Sequence, residues 1–387
     1  MQAATASTAA GSGQATRDRW TSWNVYDGGC LGTRLGTRQM LDFTVFSQDS
    51  ANIRQLGKID STFEWREARF SADGELRCFD EPVSFSAAFD FNGFDLPKGQ
   101  RFGLAHFWIE IPVNRWVGTV TVGNQKPPFS IEELITGGNL TYMERALTAF
   151  EVGDKTGVVV ANHALDMRLT WALGLFSNWI SGGHEIAGTA RVTGLPVYAS
   201  DGARLVHLGL AGRYLSPPDG PSQYKARPAT HVGPYFVDTG PFTAGRAWGL
   251  DAELLGIWGP LTFESELLET WTLSSQGANP NLWGAYIKAS WFPTGEVLPF
   301  SRKSGVPGAV VPKRKWGAAE VAVRWYTNDL DSGPIQGGVM DSLQLGASWY
   351  LLDAMFRLDL NYGRAWLHRF GTVGHSGVYG FRLQFQI

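Results

Sequence analysis

Glu264 and Glu266 lie two residues apart. In an extended segment they share one face, the arrangement of paired catalytic acids. No partner set completes such a site. His184-Glu185 begins a zinc-helix pattern, but position 188 is Gly rather than the second His. There is no nucleophile elbow, no phosphate-cradling glycine loop with Lys, and no calcium-loop spacing. The seven His are scattered, and Asn139-Leu-Thr141 matches a glycosylation sequon by chance. The expectation is a protein that is not an enzyme and holds no metal or other cofactor. The remaining chemistry lies in single charges set into alternating segments: Arg168 (between Met167 and Leu169), His207 with Arg213, Lys288, Arg324, Arg357 and Arg382. Carboxylates in the same setting are Asp90, Asp251, Glu253, Glu264, Glu266, Glu320 and Asp359. Two readings stay open. In a water-filled lumen such cations concentrate anions by focusing the field. Alternatively they pair with the carboxylates and brace a wall.

The elements that must carry these charges follow from periodicity. Tyr379, Phe381, Leu383, Phe385 and Ile387 alternate with Gly380, Arg382, Gln384 and Gln386. Period two over nine residues is a strand with one apolar and one polar face. Leu343, Leu345, Ala347 and Trp349 oppose Gln344, Gly346, Ser348 and Tyr350 in the same way, as do Phe356 to Tyr362 and Trp283 to Trp291. Sixteen such segments are expected, near 38–47, 61–71, 82–92, 102–112, 116–125, 156–161, 164–177, 186–198, 204–214, 246–258, 261–272, 282–292, 316–326, 342–350, 355–366 and 377–387. Segment 141–151 has Met143, Leu147 and Phe150 at helical spacing and reads as a loop or short helix.

Composition narrows the class. The 387 residues carry 33 Lys plus Arg against 36 Asp plus Glu, net −3, so nucleic acid is not an expected partner. Charged residues make up 18%, below the roughly 25% of an average soluble domain, while aromatics reach 13%. No stretch approaches the ~18 consecutive apolar residues of a membrane helix. The first 18 residues are small and polar and read as a flexible end, with residues 1–37 forming a lead-in and any signal peptide already removed. Cys30 and Cys78 either pair or remain free thiols.

Many half-apolar strands suit either a soluble sandwich or an outer-membrane barrel. Three features favour the barrel. The polar faces carry Gly, Ser, Tyr and Gln as often as full charges. Trp116, Trp248, Trp271, Trp283, Trp291, Trp316, Trp325, Trp349 and Trp366 sit at or near segment ends, where an amphipathic ring suits the headgroup zone. Connections alternate short and long. The alternative is a secreted β-sandwich that binds carbohydrate through exposed Trp and Tyr. In a barrel, a charge at mid-membrane on the lipid face costs ~2–4 kcal/mol, which turns the listed cations inward.

Several stretches together carry a family likeness: Trp65-Arg-Glu-Ala-Arg69; Val122-Gly-Asn-Gln-Lys-Pro-Pro-Phe-Ser-Ile-Glu-Glu-Leu134 with Met143-Glu-Arg145; His207-Leu-Gly-Leu210; Trp283-Gly-Ala-Tyr286 with Thr294-Gly-Glu296; Lys315-Trp-Gly-Ala-Ala-Glu320; Asn328-Asp-Leu-Asp331 with Ile335-Gln-Gly-Gly338; and Trp349-Tyr-Leu-Leu352. In this order and spacing the chain resembles the phosphate-selective porin O and P family of Gram-negative outer membranes. The resemblance implies a sixteen-stranded, trimeric antiparallel barrel in the bacterial outer membrane, in contact with its lipid, whose third external loop folds into the pore. Of Arg66 and Arg69, which fall on opposite faces by parity, it favours Arg66 as lumenal.

Counted from a periplasmic N-terminus, 126–155 is the third external connection of a barrel spanning 38–387. It holds Lys126, Glu132, Glu133, Glu144 and Arg145. The phosphate-selective members cluster lysines at this constriction; here there is none beyond Lys126, and the chain ends in Ile387 where such barrels usually end in Phe. The expected function is passive diffusion of small hydrophilic solutes or ions with at most a mild anion preference, the alternative being a phosphate- or oxyanion-selective channel. The connection 293–315 should be periplasmic and is long for that side. It holds Arg302, Lys303, Lys313, Arg314 and Lys315, and is either a solvated basic loop or a flap folded into the lumen.

Overall fold

The computed structural model describes residues 22–91, 103–177, 185–216, 221–273 and 279–387. The expected flexible end, residues 1–18, lies outside the described residues. One antiparallel sheet organises the chain. Its barrel strands are β1 (Leu31–Gln48), β2 (Thr62–Leu76), β3 (Val83–Asp90), β4 (Gly103–Asn114), β5 (Gly118–Gln125), β6 (Lys155–Ala164), β7 (Leu169–Ser177) and β8 (Ile186–Ala199). The second half comprises β9 (Arg204–Leu215), β10 (Ala247–Trp258), β11 (Leu261–Thr272), β12 (Asn281–Trp291), β13 (Ala318–Ser332), β14 (Ile335–Leu351), β15 (Phe356–Arg369) and β16 (Thr372–Gln386). Each strand pairs with its sequence neighbours, and β16 closes on β1 with Leu41 opposite Leu383. Closure removes both sheet edges, as a bilayer requires of a strand-built wall. The sixteen expected segments each overlie one of these strands.

Why the sheet closes into this form is visible in β14. Leu345 is 53% exposed while the adjacent Gln344 is 2% exposed. The same inversion runs along β12, where Trp283, Ile287 and Trp291 are exposed and Tyr286 and Lys288 are buried. Apolar side chains outside and polar ones inside suit hydrocarbon as the surrounding solvent.

Boundaries differ from expectation at several strand ends: β2 runs on to Leu76 rather than 71, β7 begins at Leu169 rather than 164, and β16 begins at Thr372 rather than 377. β1 begins at Leu31 rather than 38, and three residues before it, Val25–Asp27, pair with Gly32–Arg34. β13 and β14 run on to a tight turn at 333–334, since a bulge between Asp329 and Asp331 absorbs the break in alternation. Segment 141–151 is irregular, with a 3-10 turn at Thr148–Phe150. Cys30 and Cys78, whose pairing the sequence left open, are disulfide-bonded with Cα atoms 4.7 Å apart. The β1–β2 register, which sets Leu31 opposite Leu76, brings them together.

The barrel has an internal core. Phe129, Leu147 and Phe150 from the connection 126–154, and Phe236 and Val237 from the connection 216–246, cluster with Tyr286, Tyr326, Leu330, Met340 and Leu367 of the wall.

Candidate functional site

The connection between β5 and β6 makes its contacts with inward-facing wall side chains. Its first turn, Ile131–Leu134, starts at Ser130, whose Oγ accepts from Glu133 N at 3.1 Å. The backbone N–H groups of Ser130 and Ile131 have no intrahelical acceptor. Asp251 on β10 accepts the first at 3.2 Å and Glu266 on β11 the second at 2.9 Å. Three guanidiniums hold the later part. Arg324 donates to Glu132 Oε1 (2.8 Å), to the Glu144 carbonyl (2.9 Å) and to Gln344 Oε1 (2.8 Å), and lies 4.2 Å from the Tyr142 ring centroid. Arg357 donates to the Leu140 and Thr141 carbonyls at 2.6 and 3.1 Å and is paired with Asp359 at 2.6 Å. Arg382 bonds both oxygens of Asp42 at 2.7 Å, the Met143 carbonyl at 2.7 Å and Glu144 at 3.1 Å.

Wall glycines make room for the same connection. A Cβ on Gly284 would stand 2.9 Å from Phe150, one on Gly380 2.8 Å from the Met143 sulfur, and one on Gly346 3.0 Å from Tyr142. A side chain at Gly284, hemmed also by the Thr327 carbonyl, would force Phe150 to move, and at Gly346 and Gly380 the Tyr142 ring and the flexible end of Met143 would have to give way. Glycine at these inward positions of β12, β14 and β16 thus lets the connection pack close to the wall.

The other expected lumenal residues sort as follows. Lys288 pairs with Glu264 at 2.8 Å, and Glu264 also accepts from the Tyr286 hydroxyl. His207 Nε2 lies 2.9 Å from Glu253, and Glu320 accepts from the Tyr350 hydroxyl at 2.6 Å. Arg213 is half-buried on the inward phase of β9. Arg168 is misassigned by the sequence: β7 starts one residue later, and Arg168 is an exposed member of the turn 165–168, donating to the Tyr198 carbonyl. Arg66 and Arg69 are not alternatives either. Met40 pairs with Glu67 and Leu41 with Trp65, so a bulge at Arg66 resets the parity of β2. Both side chains therefore turn inward, Arg66 to Glu144 (2.8 Å) and Arg69 to Asp90 (2.6 Å).

Glu144, Lys126 and Glu151 of the connection are perturbed. Burial alone would raise the Glu144 carboxyl, but Arg66 and Arg382 beside it hold it well below the usual range. Lys126 donates to the Glu133 and Ile135 carbonyls; burial and the neighbouring Arg145 bring its ammonium down to about 8. Arg145 donates to the Glu132 and Ile135 carbonyls. Glu151 reaches lumenal water yet is walled by protein; that desolvation and the Glu133 charge push it up to about 7.

On the β1–β5 side the lumen holds a cavity of about 700 Å³, lined among others by Arg38, Arg69, His106, Trp108, Lys126 and Asp154. Arg38 places Nε and Nη2 on Glu67 at 2.8 and 2.5 Å. The connection 292–317 reaches the same space from the end of the barrel where β1 begins and β16 ends. Arg191 of β8 donates to the Ser304 and Gly305 carbonyls at 3.0 and 2.9 Å. Lys303 reaches Glu110 of β4 at 2.8 Å and Arg302 reaches Asp166 at 3.1 Å. These contacts join a connection rooted on β12 and β13 to the facing wall. Lys313 stays at its base, donating to the Gly295 carbonyl; Arg314 lies over Trp316, and Lys315 is exposed.

Sequence reasoning missed Arg38, Asp42, Glu67 and Arg191. Parity exposes Arg191, which follows Ala190 and precedes the outward Val192 on β8. Asp42 needs the closing pair, because its partner Arg382 lies 340 residues away.

With this geometry in place, known proteins supply the comparison. The profile of the phosphate-selective porin O and P family matches residues 34–387. An uncharacterized protein of Caulobacter vibrioides is 29% identical over 275 residues, 63% of this chain and 53% of that protein, so the chain spans about half the length of the curated relative it matches. Two solved structures resemble the fold. OmpT, an outer membrane protein of Vibrio cholerae in its trimer form, is 8% identical with a TM-score of 0.58, covering 92% of this chain and 100% of that one. An anion-selective porin from Comamonas acidovorans is 12% identical, also at TM-score 0.58, with 92% and 100% covered. At such identities the likeness is one of fold.

Proposed function

Because the chain belongs to the phosphate-selective porin O and P family and is an outer-membrane β-barrel channel for passive diffusion, we propose that its permeation route follows the β1–β5 side of the lumen and takes small hydrophilic solutes and ions with little charge selectivity. Family and fold point to a channel rather than an enzyme. The route passes between the connection 126–154, which narrows it from outside, and the connection 292–317, which narrows it from the periplasm. A homotrimer embedded in outer-membrane lipid accords with the OmpT trimer form.

The observation that carries this reading is that the guanidiniums holding the connection 126–154 are already engaged, although Arg213 on β9 keeps a buried Nε without an acceptor. Arg324, Arg357 and Arg382 each hold a carboxylate and at least one loop carbonyl, so they act as braces rather than as an anion-attracting wall. Around the cavity, Arg38, Arg69 and Lys126 face Asp73 and Asp154 in the lining, with Glu67 and Asp90 as bonded partners. The formal sum is 3 − 4 = −1. A partly dehydrated phosphate needs several convergent cationic donors, and here two of the three cations are already paired with carboxylates that repel it. Reversal potentials of single channels in a KCl gradient, repeated with added phosphate, test the proposal. The expected potentials lie near zero and do not respond to phosphate. Strong anion selectivity with sub-millimolar phosphate block would overturn it.

A further inference from the structure

The cavity beside β1–β5 is built unlike a simple ion path. Trp108 faces it, although the flanking Phe107 and Ile109 on β4 are exposed on the outer wall. Trp283, Trp291, Trp325 and Trp349 all take the outward phase of their strands. An indole turned into the lumen offers a flat apolar surface within a polar chamber. Around it stand neutral hydrogen-bonding side chains, Thr37, Ser71, Gln125, Thr136, Asn139 and Gln386. Two carboxylates complete the lining. Asp73 accepts from Ser86 Oγ at 2.5 Å, which also contacts His106 Nε2 at 2.8 Å, and Asp154 comes from the far end of the connection 126–154. The volume of about 700 Å³ falls within the roughly 300–1,000 Å³ of small-molecule sites.

We propose that this chamber is a saturable binding site for a neutral polyhydroxylated solute of mono- to disaccharide size. Such a ligand has an apolar C–H face to lay on Trp108 and hydroxyls that both donate and accept. Asp73 and Asp154 accept from those hydroxyls, and the amide and hydroxyl side chains take either role. The charges favour the same class. Arg38 and Arg69 keep two N–H groups each on Glu67 and Asp90, so their charge is already compensated and draws an anion weakly, while their remaining N–H groups can still donate to a neutral polyol.

The inference rests on the channel reading, and the experiment separates the two. Purified protein in planar bilayers is titrated with sucrose and with glucose, with a polyethylene glycol of matching hydrodynamic size as the non-binding control and inorganic phosphate as the anionic competitor. Sucrose or glucose should reduce the ion current saturably, and the polymer only in proportion to bulk conductivity. Trp108→Ala should raise the half-saturating concentration about tenfold or more, Trp108→Phe should recover part of it, and Asp73→Asn should weaken block while phosphate leaves it unchanged. Trp325→Phe on the outer wall should alter neither current nor block. Sugar block that is linear and equal to the polymer's, block insensitive to Trp108→Ala, or competition by phosphate would each overturn the site while ion conduction persists. Absence of any conductance would instead strike at the channel reading.

Discussion

Replacing Arg324 by Met removes the guanidinium that joins Glu132 and the Glu144 carbonyl to β13, at nearly unchanged bulk. Glu132 is 3% exposed and would keep only its bond from Ala146 N. Breaking one half of a buried pair costs about 3–5 kcal/mol, because a desolvated charge is left behind. The sixteen-stranded wall does not depend on this contact, so the cost should fall on the docking of 126–154. Arg357 and Arg382 still hold the Leu140, Thr141 and Met143 carbonyls, and the connection should remain the majority conformer. Its local opening equilibrium should rise by about two to three and a half orders of magnitude, at 1.4 kcal/mol per tenfold. Hydrogen exchange read by mass spectrometry would report this at the amides of Leu134, Ile135, Ala146 and Phe150, which are hydrogen-bonded within the connection. Single channels should show added transitions to higher conductance. Arg324→Met combined with Glu132→Gln should restore most of the protection, since the stranded charge is gone. Protection within threefold of wild type in Arg324→Met, or strictly additive losses in the double variant, would refute the bracing argument.

Raising the pH from 6 to 9 should ionise Glu151 near 7 and neutralise Lys126 near 8, a change of −2 in the connection; the reversal potential in a KCl gradient should move toward cation selectivity, and Lys126→Met should halve the movement. Arg191→Met should free 304–305 from β8 and leave Glu253 without its guanidinium partner, so that Ser304→Cys reacts faster with a bulky maleimide applied from the periplasmic side, while the same reagent outside intact cells should not reach it. Leu345→Arg, on the outer face of β14, should destabilise folding into bilayers by about 2–4 kcal/mol in urea titrations, whereas Gln344→Arg on the inner face should not carry that lipid penalty. Gly284→Leu should disturb Phe150 and Leu147 and raise exchange at the Phe150 amide without abolishing barrel assembly, as judged by heat-modifiable migration in gels.

What the sequence determined by itself was the wall. Alternation such as Leu343-Gln344-Leu345 is local, and hydrocarbon outside with water inside leaves each strand one admissible facing. Hence the sixteen strands, the inward turn of Arg324, Arg357 and Arg382, and the outward turn of most tryptophans were legible before any coordinates. Parity failed where the backbone departs from period two. The bulge at Arg66 turned both arginines of β2 inward, and a turn at 165–168, later along the chain than expected, left Arg168 outside the wall. Only the closed tertiary structure decided the partners. Asp42 meets Arg382 across the barrel closure, Glu132 meets Arg324 across 192 residues, and Arg191 meets carbonyls 113 and 114 residues onward. Such choices depend on strand register and on which connection lies beneath each patch of wall. A sequence shows that a buried cation needs a partner; the partner itself is set by geometry that no local pattern encodes.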